Sequence, residues 1–278
     1  MSLADRLRLE AEAEAADRAV VGPRDNRVQE IDTRRFPWST ICHLCRDFGD
    51  GRCVGCSGVL IDPRSVLTAA HCLWSVARRA APRALTVFPG RSDRDTIPFG
   101  AFRARRFWVP RGFVDGPDRA LWDFGVIELV RPVRHTRRFL PLEALHDSEL
   151  ARTAVARRLV IAGYPADRPM GTLWRHAERL KKVTPRRLFY SVDTCPGHSG
   201  SPVLLDRGRG FAVIGVHTSG VLDAEGRPYG CGRDTVLALP GLLNAGVRVT
   251  PAMVEAIRRP EAPRSGPWRM VELPREAV

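Results

Sequence analysis

Ser199 lies in the run Thr194-Cys195-Pro196-Gly197-His198-Ser199-Gly200-Ser201-Pro202, and far upstream stands Leu67-Thr68-Ala69-Ala70-His71-Cys72. A serine hydroxyl is a weak nucleophile near neutral pH. It attacks a carbonyl only when a base removes its proton and N–H donors stabilise the oxyanion that forms. Gly197 and Gly200 permit a tight turn that exposes Oγ and aims the N–H groups of Gly197 and Ser199 at that charge. His71 is the candidate base. Asp123, in Trp122-Asp123-Phe124-Gly125-Val126-Ile127, is the candidate acid that orients it, because the apolar strand after it would bury its carboxylate. Asp115 and Asp118 compete for that role from a neighbouring loop.

Side chains this far apart in sequence meet only if the fold gathers them, and the chain predicts strands for that task. Short apolar runs separated by turn signals at regular spacing are the pattern of an all-β barrel or sandwich. The runs expected as strands are 39–44, 56–62, 66–69, 85–89, 101–109 and 124–129, then 158–163, 172–183, 188–192, 201–206, 211–218 and 246–249. Residues 131–153, with two prolines and polar turns, read as the crossover between two halves. One helix is expected over 251–259: Thr250 can cap it, Pro251 suits its first position, and Pro260 stops it. Residues 1–19 read as a charged leader or propeptide-like extension without the apolar core of a secretory signal, and residues 260–278 as a loose tail.

The bulk numbers agree with a packed, turn-rich domain: 278 residues, 44% hydrophobic, with 24 glycines and 22 prolines. No apolar run approaches the roughly 18 residues a membrane span requires. A net charge of +13 suits nucleic acid or acidic surfaces, but the basic residues are scattered pairs such as Arg105-Arg106 and Lys181-Lys182. They form neither a dense tail nor an aromatic platform, so the expectation is a solvated arginine-rich surface with no specific nucleic acid and no membrane partner. His135, His146 and His176 show no partner pattern and are read as residues without chemistry.

Cys56-Ser57-Gly58 through His71-Cys72 resembles the histidine hairpin of trypsin-fold serine endopeptidases. The Asp123 segment resembles their aspartate strand, and Gly197 to Pro202 their nucleophile loop, in the same His…Asp…Ser order. Tyr164-Pro165, Gly171 to Trp174, Asp193-Thr194 and Val20 to Arg27 are similar to the bacterial glutamyl endopeptidase branch in particular. The likeness runs from about Val20 to Ile257. It implies two packed six-stranded antiparallel β-barrels, about 31–135 and 154–250, followed by the C-terminal helix, with the site in the cleft between them. It further implies a monomer that acts on a peptide or protein substrate and carries no cofactor.

Roles follow from the same resemblance. Ser199 attacks the carbonyl, His71 shuttles the proton, Asp123 orients the imidazole, and the N–H groups of Gly197 and Ser199 form the oxyanion hole. His198 stands where digestive enzymes carry the aspartate that receives a new N-terminal ammonium, so that activation switch is not expected. Two specificities remain open. His217 matches the pocket histidine of glutamyl enzymes; Thr194 offers a second donor, and Val20 would supply the terminal amine if cleavage follows Ala19. Against this, Asp193 lies six residues before Ser199, where trypsins keep their Arg/Lys-binding aspartate, unless it points away and bonds to backbone. A catalytically silent binding protein on the same fold is the reading from another class.

Seven cysteines complete the inventory. The hairpin likeness implies a Cys56–Cys72 bridge, and a loop of that size contributes roughly 3 kcal/mol in the chain-entropy model. Cys195, four residues before Ser199, is expected to pair with Cys231, leaving Cys42, Cys45 and Cys53 for one further pair and one free thiol. The alternative is a zinc site on Cys42, Cys45, Cys53 and Cys56, with His43 as an added ligand, although only seven residues separate the two pairs. Disulfides point to a secreted or periplasmic setting.

Overall fold

Alternation of buried and open positions builds many of the strands, as in Ala84–Pro89, where Leu85, Val87 and Pro89 turn inward. The structure is a computed structural model and describes residues 21–22, 24–220, 231 and 242–274. In chain order the strands are β1 (Val28–Glu30), β2 (Ile41–Asp47), β3 (Val54–Leu60), β4 (Ser65–Thr68), β5 (Ala84–Pro89), β6 (Phe102–Pro110) and β7 (Gly125–Leu129). The second half contributes β8 (Leu159–Gly163), β9 (Leu173–Glu178), β10 (Leu180–Val183), β11 (Arg187–Tyr190), β12 (Pro202–Asp206), β13 (Phe211–Ser219) and β14 (Asn244–Arg248), and β15 (Met270–Glu272) ends the series. The α-helices are α1 (Arg111–Val114), α2 (Asp147–Ala156) and α3 (Pro251–Arg258).

The first sheet runs β15-β6-β5-β2-β3-β4-β7, and an added β6–β7 pairing closes β2 to β7 into a barrel. The second runs β1-β9-β8-β12-β13-β14-β11-β10. All neighbours are antiparallel, so the all-β trypsin-like architecture read from the sequence is observed, with one difference. Among the described residues only the first sheet closes as a six-stranded barrel, and the second half is an eight-stranded sheet with β1 and β10 at its edges. Ile41, Leu44, Leu67, Phe107 and Ile127 fill the first barrel, and Leu159, Ile161, Leu188, Val203 and Ile214 the core of the second half. Burying each such side chain contributes about 1.5–3 kcal/mol.

Differences from expectation have local causes. The run 172–183 divides at Arg179 because the chain changes partners there, from β8 and β1 to β11. The crossover contains α2, whose first turn holds Asp147 and Glu149 at the positive end of the helix and which buries Leu150. Helix α3 is as expected: the Thr250 side chain accepts from Met253 N, and Pro251 opens the helix. The loose tail is corrected. β15 pairs with the end of β6, Val271 opposite Val109, at an edge that β5 leaves uncovered, and Met270 and Leu273 are buried there.

The cysteines pair as Cys45–Cys53, Cys56–Cys72 and Cys195–Cys231, with Cys42 a buried free thiol. Three of the four sulfurs of the zinc alternative are therefore held in disulfides. Among the described residues no helix is long and apolar enough to cross a membrane.

Candidate active site

β4 pairs antiparallel with β7, Thr68 opposite Gly125. That register carries the turn after β4 and the residue before β7 to the same end of the barrel, and His71 meets Asp123 there. The His71 backbone N–H donates to Asp123 Oδ1 at 2.9 Å, and His71 Nδ1 lies 2.7 Å from Oδ2. Both residues are buried. A carboxylate at Nδ1 draws the imidazole proton to that nitrogen and leaves Nε2 as the basic one.

The nucleophile turn is anchored from both halves. Gly197 and Gly200 have φ of +94° and +85°, a region favouring glycine. A Cβ on Gly197 would strike Tyr164 O, and one on Gly200 would strike Thr68 Oγ1 and Ser57 O. Ser199 O accepts from Ser57 N at 2.8 Å, and Cys72 Sγ lies 3.6 Å from the same oxygen, which sets Ser199 beside the His71 turn. Ser57 also donates its hydroxyl to Gly197 O at 2.7 Å and accepts from Tyr164 N at 2.8 Å. Gly200 N donates to His217 O, and His217 N donates to Ser201 O, both at 2.8 Å.

His217 is therefore beside the nucleophile turn, inside β13 and fully covered. Burial pushes its pKa well below the usual histidine range, with smaller contributions from His198 and His71, so the ring is neutral. The Tyr190 hydroxyl lies 2.9 Å from its Nδ1. Thr194 is wholly buried, and its Oγ1 has no hydrogen-bond partner among the described residues. Burial, with the charge of Arg27, takes His198 down to about 3, and its Nδ1 accepts from Cys195 N at 3.1 Å. A neutral His198 matches the expected absence of an anion at that position.

Asp193 departs from the trypsin-like alternative. Its carboxylate accepts from Gly22 N at 2.8 Å and from Asn26 N at 2.9 Å. Both oxygens are occupied by backbone donors, so it does not stand open as a binder of a substrate cation. His176, read from the sequence as without chemistry, accepts the Asp193 N–H on Nδ1 at 2.8 Å. Asp167 holds the same segment through Arg27, whose buried guanidinium bonds Asp167 at 2.6 and 2.9 Å and Asp25 at 2.7 Å. Burial raises the Asp25 pKa, but the Arg27 bonds outweigh it and take the carboxyl down to about 2. Val20 lies outside the described residues.

Sequence reasoning missed Ser57, Tyr190, His176 and the Arg27–Asp167 pair as parts of this site. Ser57 had a signal in its place inside the hairpin motif, and Arg27 in its place at the end of the Val20 to Arg27 likeness; Tyr190, His176 and Asp167 had none.

The family model described as Trypsin matches residues 27–234. The chain belongs to the trypsin family. It is 30% identical over 216 residues to a glutamyl endopeptidase of Bacillus licheniformis, covering 76% of this chain and 64% of that protein. A glutamyl endopeptidase of Staphylococcus aureus is 27% identical over 202 residues, covering 73% of this chain and 58% of its own length. The chain thus spans less than two thirds of these curated relatives. A solved structure of a Glu endopeptidase in complex with MPD superposes with a TM-score of 0.69 at 26% identity, covering 86% of this chain and 98% of that one.

Proposed function

We propose that this trypsin-family chain is a serine endopeptidase that cleaves peptide or protein substrates after glutamate, or aspartate, through an acyl-enzyme on Ser199. The observation that carries it is the double contact of Asp123 with His71, on the N–H and on Nδ1, at the turn that packs against Ser199. In this reading Ser199 Oγ attacks the scissile carbonyl as its proton passes to His71 Nε2. The Gly197 and Ser199 N–H groups receive the oxyanion, each donor supplying about 2.7–4 kcal/mol. The tetrahedral species expels the amine, which takes the proton from His71, and water then releases the acyl group by the same steps in reverse.

The acidic preference is supported by His217, Thr194 and the engagement of Asp193. When Tyr190 donates its hydroxyl to Nδ1, the neutral His217 ring keeps its proton on Nε2. In this reading an incoming carboxylate takes that proton's hydrogen bond in competition with the Ala245 backbone, which the ring also bonds. Thr194 Oγ1 is a second buried donor. Asp193, already accepting from Gly22 and Asn26, is not presented to a lysine or arginine. Val20 enters the reading as the residue whose amine would face the substrate carboxylate after removal of residues 1–19.

Digestion of a denatured protein followed by sequencing of the products tests both halves at once. Cuts after Glu or Asp are expected. Cuts after Arg or Lys overturn the specificity, and the absence of both cuts and phosphonate adduct at Ser199 in folded protein overturns the activity in favour of a silent binding protein.

A further inference from the structure

Beyond α3 the chain continues through a short turn, Gly266–Trp268, into β15. Arg111 N donates to Arg269 O at 2.7 Å, and Leu273 N to Phe107 O at 2.9 Å, so the tail is stitched to the first barrel on both sides of the strand. Trp268 then reaches the two neighbours of Asp123. Its ring meets Trp122 edge-on at 4.8 Å between centroids and lies 6.3 Å from Phe124.

A cation from the second half completes the cluster. Arg186, in the turn between β10 and β11, sets its guanidinium 3.4 Å over the Trp122 ring and 4.5 Å from that of Trp268. It also donates to Leu121 O at 2.9 Å. Among the described residues this guanidinium has no carboxylate partner, and burial lowers its pKa to about 10, which leaves it charged at neutral pH. A cation held by two indole faces and one carbonyl is a specific, directional contact. Gly112 is part of the same fit, since any Cβ there would run into Trp122.

Residues 121, 122 and 124 are thus each gripped by Arg186 or Trp268, and residue 123 between them carries the carboxylate that meets His71. We propose that Trp268 and Arg186 are positioning residues for Asp123, the C-terminal tail and the β10–β11 turn together clamping its segment against the first barrel. The catalytic consequence rests on the serine endopeptidase reading; the geometric one does not. Loosening the clamp displaces the carboxylate by a fraction of an ångström to an ångström, while the pocket around His217 and Thr194 is left in place. Misplacement on that scale can cost on the order of 100-fold in rate.

The test compares Trp268→Ala, Trp268→Phe and Arg186→Met with the parent. Arg186→Met keeps volume and leaves β15 intact, which guards against failure of the alanine variant to fold. Two readouts are needed. The first is the far-downfield proton resonance of His71 Nδ1–H, which reports its hydrogen bond to Asp123 with or without turnover. It should broaden or move upfield in Trp268→Ala and Arg186→Met and recover in Trp268→Phe. The second is kcat, which should fall roughly 10-fold or more in the same two variants with KM unchanged. The acid limb of kcat/KM should move to lower pH, because the imidazolium loses its anionic partner. An unchanged resonance, with kcat and pH limb equal to the parent despite a lower Tm, would make the tail a stabilising strap only and overturn the proposal. If the parent shows the resonance and its dependence on Trp268 but neither cleaves nor takes a phosphonate, the clamp stands and the peptidase reading falls.

Discussion

Asp193 Oδ1 accepts the N–H of Gly22 at 2.8 Å across 171 residues of sequence. Its other oxygen takes Asn26 N, so one carboxylate ties the Gly22 and Asn26 backbone to the segment that precedes the nucleophile. Replacing Asp193 by Ala removes two charge-assisted bonds, a loss of about 3–6 kcal/mol. At about 2–4 °C per kcal/mol for a domain of this size, the melting temperature falls accordingly. The variant is expected to be nicked faster near Arg24 and to show a raised KM on Glu peptides, with no change toward Arg peptides. A panel differing only in the residue before the cut, read alongside limited proteolysis, checks this. Loss of an existing Arg cleavage in the variant would return Asp193 to the pocket.

Replacing His217 by Ala tests the pocket donor. A hydrogen bond to a charged group contributes about 1.5–3 kcal/mol, so kcat/KM on Glu peptides should fall roughly 10- to 150-fold. Labelling of Ser199 by a small sulfonyl fluoride, which does not enter the pocket, should persist at the parent rate. If Glu cleavage survives unchanged, His217 takes no part in recognition.

Three buried histidines make stability fall on the acid side. His43 and His198 are taken down to about 3, and His217 well below its ordinary range, in every case chiefly by burial. Unfolded, each titrates near 6.5. Above that pH both states are neutral and the full stability is present. As pH drops below it, the unfolded chain takes up protons that the folded one refuses, and each site removes up to about 1.4 kcal/mol per pH unit until its folded pKa is reached. Melting temperature should therefore decline steadily from about pH 6.5 toward pH 3. His198→Asn should flatten that slope by one histidine's share in scanning calorimetry, and an unaltered slope would mean that His198 is solvated.

Where the sequence was informative, the cause is local chemistry. A serine between special glycines, a histidine after a short strand and an aspartate before an apolar one announce themselves by type and neighbour, as Ser199, His71 and Asp123 do. Strand β7 was legible because Val126 and Ile127 must be buried, and α3 because Thr250 and Pro251 start a helix by their own geometry. Other features have no local cause. Asp193 reads identically whether it faces a pocket or Gly22, and His176 gains its role only from the Asp193 N–H seventeen positions away. The tail shows little apolar periodicity of its own; it becomes a strand because the end of β6 is uncovered. Arg186 looks like one more surface cation until Trp122 and Trp268 close over it.

The Cys56–Cys72 bridge spans 16 residues and encloses β4 and the turn after it that carries His71. Replacing both cysteines by alanine should cost about 3 kcal/mol through the regained freedom of the unfolded loop. Because Cys72 also packs on Ser199 O, activity should fall at temperatures well below the melting point. Thermal scans with and without reductant, paired with initial rates, separate the two effects. Equal melting temperatures for parent and variant under oxidising conditions would mean that the bridge contributes no stability.

Ser57→Ala probes the coupling between the two halves most directly. The hydroxyl of Ser57 donates to Gly197 O and accepts from Tyr164 N, so its loss leaves two buried backbone groups without that partner. Each unmet group costs about 1–3 kcal/mol. Part of that cost is relieved if the Gly197 turn relaxes, and such relaxation swings the Gly197 N–H away from the oxyanion position. The expected signature is a drop in kcat with KM preserved, because the pocket around His217 belongs to β13 and does not depend on this hydroxyl. A mechanism-based phosphonate should bind more slowly in the same proportion, since its tetrahedral oxygen needs the same donor. If the variant loses stability yet acylates at the parent rate, Ser57 holds the two halves together without shaping the oxyanion turn.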